Sequence, residues 1–380
     1  MSGLLQARGG TLRVELCTDD RQFAALGPAW DRLYRRCGAA TPFQSHAWLH
    51  SWWTSYGRPG RLRLVLVRDG GAPGEQGELR AAAPLMRVGQ PLPRLVPLGG
   101  AISDFGDVLL DDEHAGPAAA ALAEALSVAA RTALIDFREV RPGSAVERVY
   151  ELWRGPRRRV RDSVCLELPA VPMEELVARL SGAKARRARY QLRKLTAMGV
   201  TRRTVPPDEV DAALRRLLTL HRLQWQNRGV TPEHLRKRFA THLVRAVGPL
   251  VRSGDAVVTE FLLDGEVVAV DLTLLAPLLA GCYLYGVHPL LRERKANIAV
   301  MLLDTCARHT GTGERRTLSL LRGDEPYKYH WRPEPVVNQR LLLARRRTAP
   351  LLSVVVCEVA ARSRARELVR GWKERGDGRT

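Results

Sequence analysis

The chain has 380 residues, of which 45% are hydrophobic and 26% charged, enough apolar matter for a sizeable core and too much for a disordered or fibrous protein. Sixty Lys and Arg against 40 Asp and Glu give a net charge of +20, which points to an anionic partner. Only six of the basic residues are lysine, and the excess is uneven: residues 1–150 carry +1, whereas segments 154–203 and 340–380 carry +10 and +7.

Length predicts two domains. Leu12 to Leu16 reads as a strand, Phe23 to Tyr34 as a helix, and Thr41 before Pro42 as the start of another helix. Arg61 to Val67 and Glu78 to Val88 read as antiparallel strands around a Gly70–Gly77 turn, Asp107 to Leu110 as a third strand, Ala118 to Ala130 as a helix and Ala133 to Phe137 as a strand. The Arg-rich stretch Arg154–Arg161 marks the boundary, with a crossing strand at Ser163–Leu168. Helices are predicted over Glu209–Arg228 and Pro232–Val247. Three strands follow, at 255–263, 266–275 and 280–287, the first two joined by Asp264-Gly265, a strong hairpin signal. Asn297–His309 reads as a helix and Arg316–Leu321 as a last strand. Both halves have the order helices, antiparallel meander, helix, strand, so two copies of one α/β (α+β) unit are expected: residues 12–150 and 151–337, with 338–380 a basic helical tail.

The six cysteines lack any CxxC pair and no histidine cluster has zinc-site spacing, so reduced thiols and no metal site are expected. The N-terminus has no signal-peptide pattern. The longest run free of both charged residues and histidine, Leu272–Val287, is shorter than the roughly 18 residues of a spanning helix. A cytoplasmic protein is expected, with the basic, partly apolar tail suited to peripheral contact at the inner membrane surface or, as the stronger reading, to packing on the second domain.

A meander followed by a helix and a strand is the second half of the GNAT acyltransferase unit. The run GTGERRTLSLLRGDEPYKYHW (311–331) resembles the closing motif of the CelD-type, BioF2-like acetyltransferases, a branch associated by name with bacterial cellulose and exopolysaccharide formation. TPFQSHAWLHSWW (41–53) resembles that group's N-terminal motif, and GGAISDFGDVLL (99–110) a third. The branch is similar to the Fem-type aminoacyltransferases, tandem GNAT units whose substrate-contacting lysine lies where Tyr327-Lys328 stands here. The resemblance implies tandem GNAT-like units, each a mixed, mainly antiparallel sheet flanked by helices. It also implies acyl transfer from a thioester such as acyl-CoA or an acyl carrier protein, with no permanently bound cofactor; the alternatives are an aminoacyl-tRNA-dependent transferase and a non-catalytic binding or scaffold subunit of polysaccharide biosynthesis. The acceptor would be an amine or hydroxyl of a sugar-containing or cell-envelope precursor. The glycine-rich loop that cradles the CoA pyrophosphate in GNAT enzymes is replaced by glycine-free HPLLRERKAN (288–297), where Arg292, Arg294, Lys295 and Asn297 are the candidate donor contacts.

Acyl transfer needs a base, oxyanion donors and an acid. Asp324 or Glu325 are candidates for the base, Lys328 for an electrostatic clamp, and Tyr327 or Tyr329 for the proton donor, with Arg322 binding substrate. The alternative is a structural turn in which the carboxylates pair with Arg322 and Arg332. Asp271 and Tyr285 sit on otherwise apolar strands and are expected at a cleft; Glu260 is expected on the solvent face. Asp104 and Asp107 are candidate acceptor contacts or turn residues. His46 and His50, four apart, are too few for a metal site, and Trp48, Trp52 and Trp53 read as core. Lys184, Arg186, Arg187, Arg189, Arg193 and Lys194 place a cationic ridge on one helix, with Arg186, Arg189, Tyr190 and Arg193 on one face, fit for an acyl carrier protein, tRNA or a lipid phosphate. No Ser or Cys stands beside a base within the motifs, so direct transfer without a covalent intermediate is expected.

Overall fold

In the computed structural model, described for residues 5–6, 12–70, 77–89, 92–224, 232–310 and 315–377, the chain forms one 14-stranded sheet. The first half runs β1 (Leu5–Gln6), β2 (Leu12–Cys17), α1 (Asp20–Ala25), α2 (Gly27–Arg35), α3 (His46–Tyr56), β3 (Leu62–Asp69), β4 (Leu79–Val88), β5 (Arg94–Pro97), β6 (Leu109–Leu110), α4 (Ala115–Ala129), β7 (Leu134–Val140) and α5 (Val146–Leu152). The second runs β8 (Arg157–Pro169), α6 (Met173–Ala178), α7 (Gly182–Ala197), β9 (Thr201–Thr204), α8 (Val210–Gln224), α9 (Lys237–Arg252), β10 (Ala256–Leu263), β11 (Glu266–Leu275), β12 (Leu279–Val287), α10 (Pro289–Glu293), α11 (Ile298–Arg308) and β13 (Thr317–Arg322), and closes with β14 (Glu334–Leu343) and α12 (Ala349–Asp377). The predicted Gly70–Gly77 turn falls largely outside the described residues, as do positions 225–228 of the predicted helix and 311–314 of the closing motif.

The strand order β1-β2-β3-β4-β5-β7-β14-β8-β13-β12-β11-β10-β9 shows how the halves join. Each half holds one parallel pair, β5 with β7 and β12 with β13, at the end of an antiparallel meander. The halves then join edge to edge: β8 pairs with β13 of its own half, while β14, last in sequence, lies between β7 of the first half and β8. Residues 338–343, read from sequence as the start of a tail, are therefore the latter part of a central strand. Polar residues at Asn338, Gln339 and Arg340 hide this strand from hydrophobic patterning, and the fold satisfies Arg340 in place. Arg340, 4% exposed, donates from Nε and Nη2 to both oxygens of Asp136 on β7, each at 2.6 Å. The arginines of 157–161, read as a boundary, open β8 itself.

Local chemistry explains the elements that sequence placed well. Asp264 and Gly265 both take positive φ (55° and 85°), as a two-residue hairpin turn between β10 and β11 requires. Ser45 Oγ accepts from Trp48 N at the start of α3. The α3 tryptophans are core: Trp48 and Trp53 are buried, and Ser51 Oγ donates to His242 O, packing α3 on α9 of the other half. His46 and His50 stack on each other at 5.2 Å and edge onto Phe23. The predicted Phe23–Tyr34 helix is two helices, broken at Gly27-Pro28. Glu260 is fully buried, contrary to its expected solvent position, because Arg203 and Arg216 cover it at 2.7 and 2.5 Å. The first turns of α12 pack Leu352 and Val355 on Leu134, Leu342 and Ala344, across strands shared by both halves rather than on the second alone.

Candidate active site

β12 and β13 pair in parallel only from Leu279 to Gly281 against Thr317 to Ser319, then part. The gap opens into a cleft of about 800 Å³. Cys282, Tyr283 and Tyr285 of β12 line one side and Leu320, Leu321 and Arg322 of β13 the other. Ile298, Ala299 and Leu302 of α11 close the back, so the helix N-terminus faces the cavity, and Ala101, Ile102 and Asp104 of the first half form the remaining wall. A bulge in β13 between Ser319 and Arg322, with Leu321 at φ +56°, turns Arg322 toward that wall.

Arg322 fastens the two halves. Its Nε donates to Asp104 Oδ1 (2.6 Å), Nη1 to Glu139 Oε1 (3.2 Å) and Nη2 to Ala101 O (2.6 Å). Burial works against the guanidinium charge, and the Asp104 and Glu139 carboxylates more than offset it. Asn338 Nδ2 donates to Glu139 Oε2 at 3.2 Å, tying the central strand into the same knot, and Tyr283 Oη donates to Ile102 O at 2.7 Å. Asp104 and Arg322, candidates from two motifs 218 residues apart, thus meet in one ion pair.

The closing loop is arranged around Lys328, which is 8% exposed and lines the cleft. Its Nζ donates to Arg322 O (3.1 Å) and lies 2.8 Å from Glu325 Oε2. Gly323, at φ +122°, has no room for a Cβ beside that carboxylate. Glu325 and Tyr327 line the cleft with it; Asp324 does not, and instead accepts from Tyr329 Oη. Burial raises the Tyr327 and Tyr285 phenols above their ordinary range.

Asp271 is fully buried behind the cleft wall, where its carboxylate accepts from Thr273 Oγ1 and Cys282 Sγ, both at 2.7 Å. Burial pushes Asp271 up to about 6 and the Cys282 thiol well above its usual value. A cysteine does therefore stand beside a carboxylate at the site, which the linear motifs do not reveal. Asp107 is away from the cleft: it is 3% exposed and accepts from Val108 N, Ala145 N and Val146 N at 2.8, 2.9 and 2.8 Å, capping α5. That is the turn role, not a contact with an acceptor.

Of the candidate donor contacts, Arg292 lines the cleft. Asn297 caps α11, its Oδ1 accepting from Val300 N at 3.1 Å, and with Arg187 and Gln191 lines a smaller cavity of about 270 Å³ that shares Ala299, Tyr327 and Trp331 with the cleft. Arg294 lies 3.9 Å from Asp264, and Lys295, at φ +56°, accepts at its carbonyl from Lys194 Nζ; neither lines the cleft. Arg186 and Arg189 are exposed on α7, outside the cleft. Among the described residues, Asp111, Glu113 and His114 lie close enough to share an ion, but Asp111 Oδ2 is already held by Arg80 (2.6 Å) and Arg36 (3.0 Å).

Sequence reasoning missed a histidine that lines the cleft, His234, and the buried histidine it touches, His221. His221 Nδ1 faces Tyr285 O at 2.7 Å, and since a carbonyl only accepts, that nitrogen carries the proton. His221 Nε2 then accepts from His234 Nδ1 at 3.3 Å, leaving His234 Nε2 as the basic nitrogen of a ring that lines the cleft. Burial lowers His234 to about 4, so it is neutral near pH 7. The sequence held one signal: His221 and Gln224 lie on the buried stripe of α8 with Leu217 and Leu220, where polar residues need partners.

Residues 182–329 match the family described as an acetyltransferase (GNAT) domain. No curated protein matches. Among solved structures the chain is similar to FemX, with 11% identity, TM-score 0.59 and coverage of 87% of this chain and 98% of that one. It is similar to L-PGS from Bacillus licheniformis, with 14% identity, TM-score 0.53 and coverage of 92% and 98%. A C-terminal DUF2156 domain from Agrobacterium fabrum, named for lysylphosphatidylglycerol synthetase, gives 12%, 0.53, 90% and 97%. At these identities the structures share the fold. No helix among the described residues is long and apolar enough to cross a membrane. The match over 182–329 covers the meander, α11, β13 and most of the closing loop, and over that stretch the chain carries an acetyltransferase (GNAT) domain, which supports acyl transfer as its chemistry.

Proposed function

We propose that the cleft between β12 and β13 transfers an acyl group from a thioester, such as acyl-CoA or an acyl carrier protein, to an amine or hydroxyl of a sugar-containing cell-envelope or exopolysaccharide precursor. The observation that carries this reading is the cleft itself, which is open, sized for a cofactor-like ligand, closed at one end by a helix N-terminus that favours phosphate and walled by both halves. The donor carbonyl lies between the parted strands. The acceptor N–H or O–H attacks it, the new C–N or C–O bond forms, and the C–S bond breaks. Glu325 takes the proton from the acceptor, and Tyr327 returns one to the departing thiolate. Lys328 is a positioning residue that holds the loop to Arg322 O and Glu325. Arg292 and the α11 N-terminus meet the donor phosphates in place of a glycine-rich loop.

The exposed α7 ridge of Arg186, Arg189 and Arg193, beside the small cavity, favours a carrier-protein donor as a second reading. Glu325→Gln should lower turnover by about 100-fold or more with little change in donor affinity, as loss of a general base does. Unchanged turnover of an amino-sugar acceptor and acetyl-CoA would remove Glu325 from this role.

A further inference from the structure

The two cationic segments of the sequence meet on the far end of the central strands. There Arg131, Arg154, Arg345, Arg346 and Arg347 surround a cavity of about 700 Å³, with Gly155 and Pro156 completing its lining. Among the described residues, none of these five guanidinium groups is within ion-pair distance of a carboxylate. Their neighbour Arg159, by contrast, lies 3.5 Å from Glu147. Five like charges in one concavity repel one another unless an anion joins them.

The frame that holds them is fixed. Ala344 N donates to Pro156 O (2.8 Å), Trp153 Nε1 to Ala344 O (3.0 Å) and Thr348 Oγ1 to Ala130 O (2.8 Å), so three distant chain segments are pinned within two residues of the arginines. Gly155 permits the closest approach: a Cβ there would stand 2.3 Å from Ala344 O. Thr348 is 5% exposed and Ala344 fully buried, so the segments are held by the core.

We propose that this arginine pocket binds a diphosphate group. Guanidinium forks match phosphate oxygens two at a time, and five of them exceed the charge of a single phosphate. A short concavity lined by five arginines suits a compact group, whereas nucleic acid is followed along an extended groove. The diphosphate is either a soluble one or the headgroup of a lipid. Leu152 (47% exposed), two residues before Arg154, and Val354 (50% exposed) on α12 give the flanking segments apolar side chains for the lipid case.

Calorimetry with inorganic pyrophosphate at low salt tests the site independently of acyl transfer. Pyrophosphate should bind the wild type. The Arg345→Gln/Arg346→Gln/Arg347→Gln variant should bind at least about tenfold more weakly, the scale of losing charge-assisted hydrogen bonds. Arg186→Gln/Arg189→Gln/Arg193→Gln on α7 should bind as the wild type does. Arg131→Gln/Arg154→Gln gives the same reading should the triple variant not fold. Cosedimentation with phosphatidylcholine vesicles carrying a polyprenyl diphosphate, lost in the pocket variant, assigns the group to a lipid; pyrophosphate binding without cosedimentation assigns it to a soluble ligand. No pyrophosphate binding, equal weakening by the α7 variant, or binding of tRNA alone would overturn the proposal.

Discussion

The two halves repeat one arrangement and use it differently. In the first, β5 and β7 pair in parallel at Arg94–Leu95 against Leu134–Ile135, and where β7 continues, the segment before β6 lies against it: Gly106 N donates to Glu139 O at 2.9 Å, and a Cβ on Gly106 would meet Arg138 O at 2.3 Å. The corresponding gap in the second half is the cleft. The segment that occupies the first gap also supplies Ala101, Ile102 and Asp104 to the second. One half has given up its opening and become a wall for the other. The buried aspartates follow the same division: Asp107 ends on backbone N–H groups of α5, and Asp271 ends on Cys282, a residue of the cleft.

If the first half is a wall, cutting its fastening should do the greatest harm. Arg322→Ala removes the cation that Asp104 and Glu139 share and should cost about 3–5 kcal/mol of stability, the scale of breaking a buried ion pair from one side. Denaturant unfolding measures this, and acyl transfer should fall with it. A loss below about 1 kcal/mol with full transfer would mean the halves do not depend on this link.

The aspartates separate by role, although burial raises both, Asp271 to about 6 and Asp107 to about 7. Asp271 has a folded value of about 6 against an ordinary value near 4. Between these values the folded chain keeps a proton the unfolded chain has lost, so the Asp271 contribution to stability falls as pH rises from about 4 to 6 and is level above. The full contribution is roughly 3 kcal/mol, and Asp271→Asn should shrink the slope by that share and leave the part that belongs to Asp107. A slope identical to wild type would show that Asp271 is ionised throughout. Asp107→Ala should cost about 2 kcal/mol through the lost cap of α5 and, once corrected for folded fraction, leave transfer unchanged. Reduced transfer in the fully folded variant would return Asp107 to the site.

Much of this comparison was legible in the sequence. The meander of the second half, its Asp264-Gly265 turn and the two-unit repeat follow from local periodicity and turn chemistry. The closing loop was located, and Glu325, Tyr327, Lys328, Tyr285, Arg292, Arg322 and Asp104 do line one cleft. What was not legible depends on partners far along the chain. β14 carries Asn338 and Arg340 in its middle and becomes a core strand only because Asp136 and Glu139 await them on β7. Cys282 and Asp271, or His221 and His234, become pairs only when strands or helices stack. The charge excess was located by sequence to two segments, but their convergence with Arg131 into one pocket needed the fold.

Filling the cleft tests the central claim most directly. Ala299 is partly exposed at the N-terminus of α11, with space on its cleft side, so Ala299→Trp should block the cleft while the fold persists. Calorimetric titration with acetyl-CoA should show binding to the wild type and none to Ala299→Trp, with both chains unfolding at similar denaturant concentration. Equal affinity in the two would place the donor elsewhere and contradict the assignment of the second-half cleft as the acyl-transfer site.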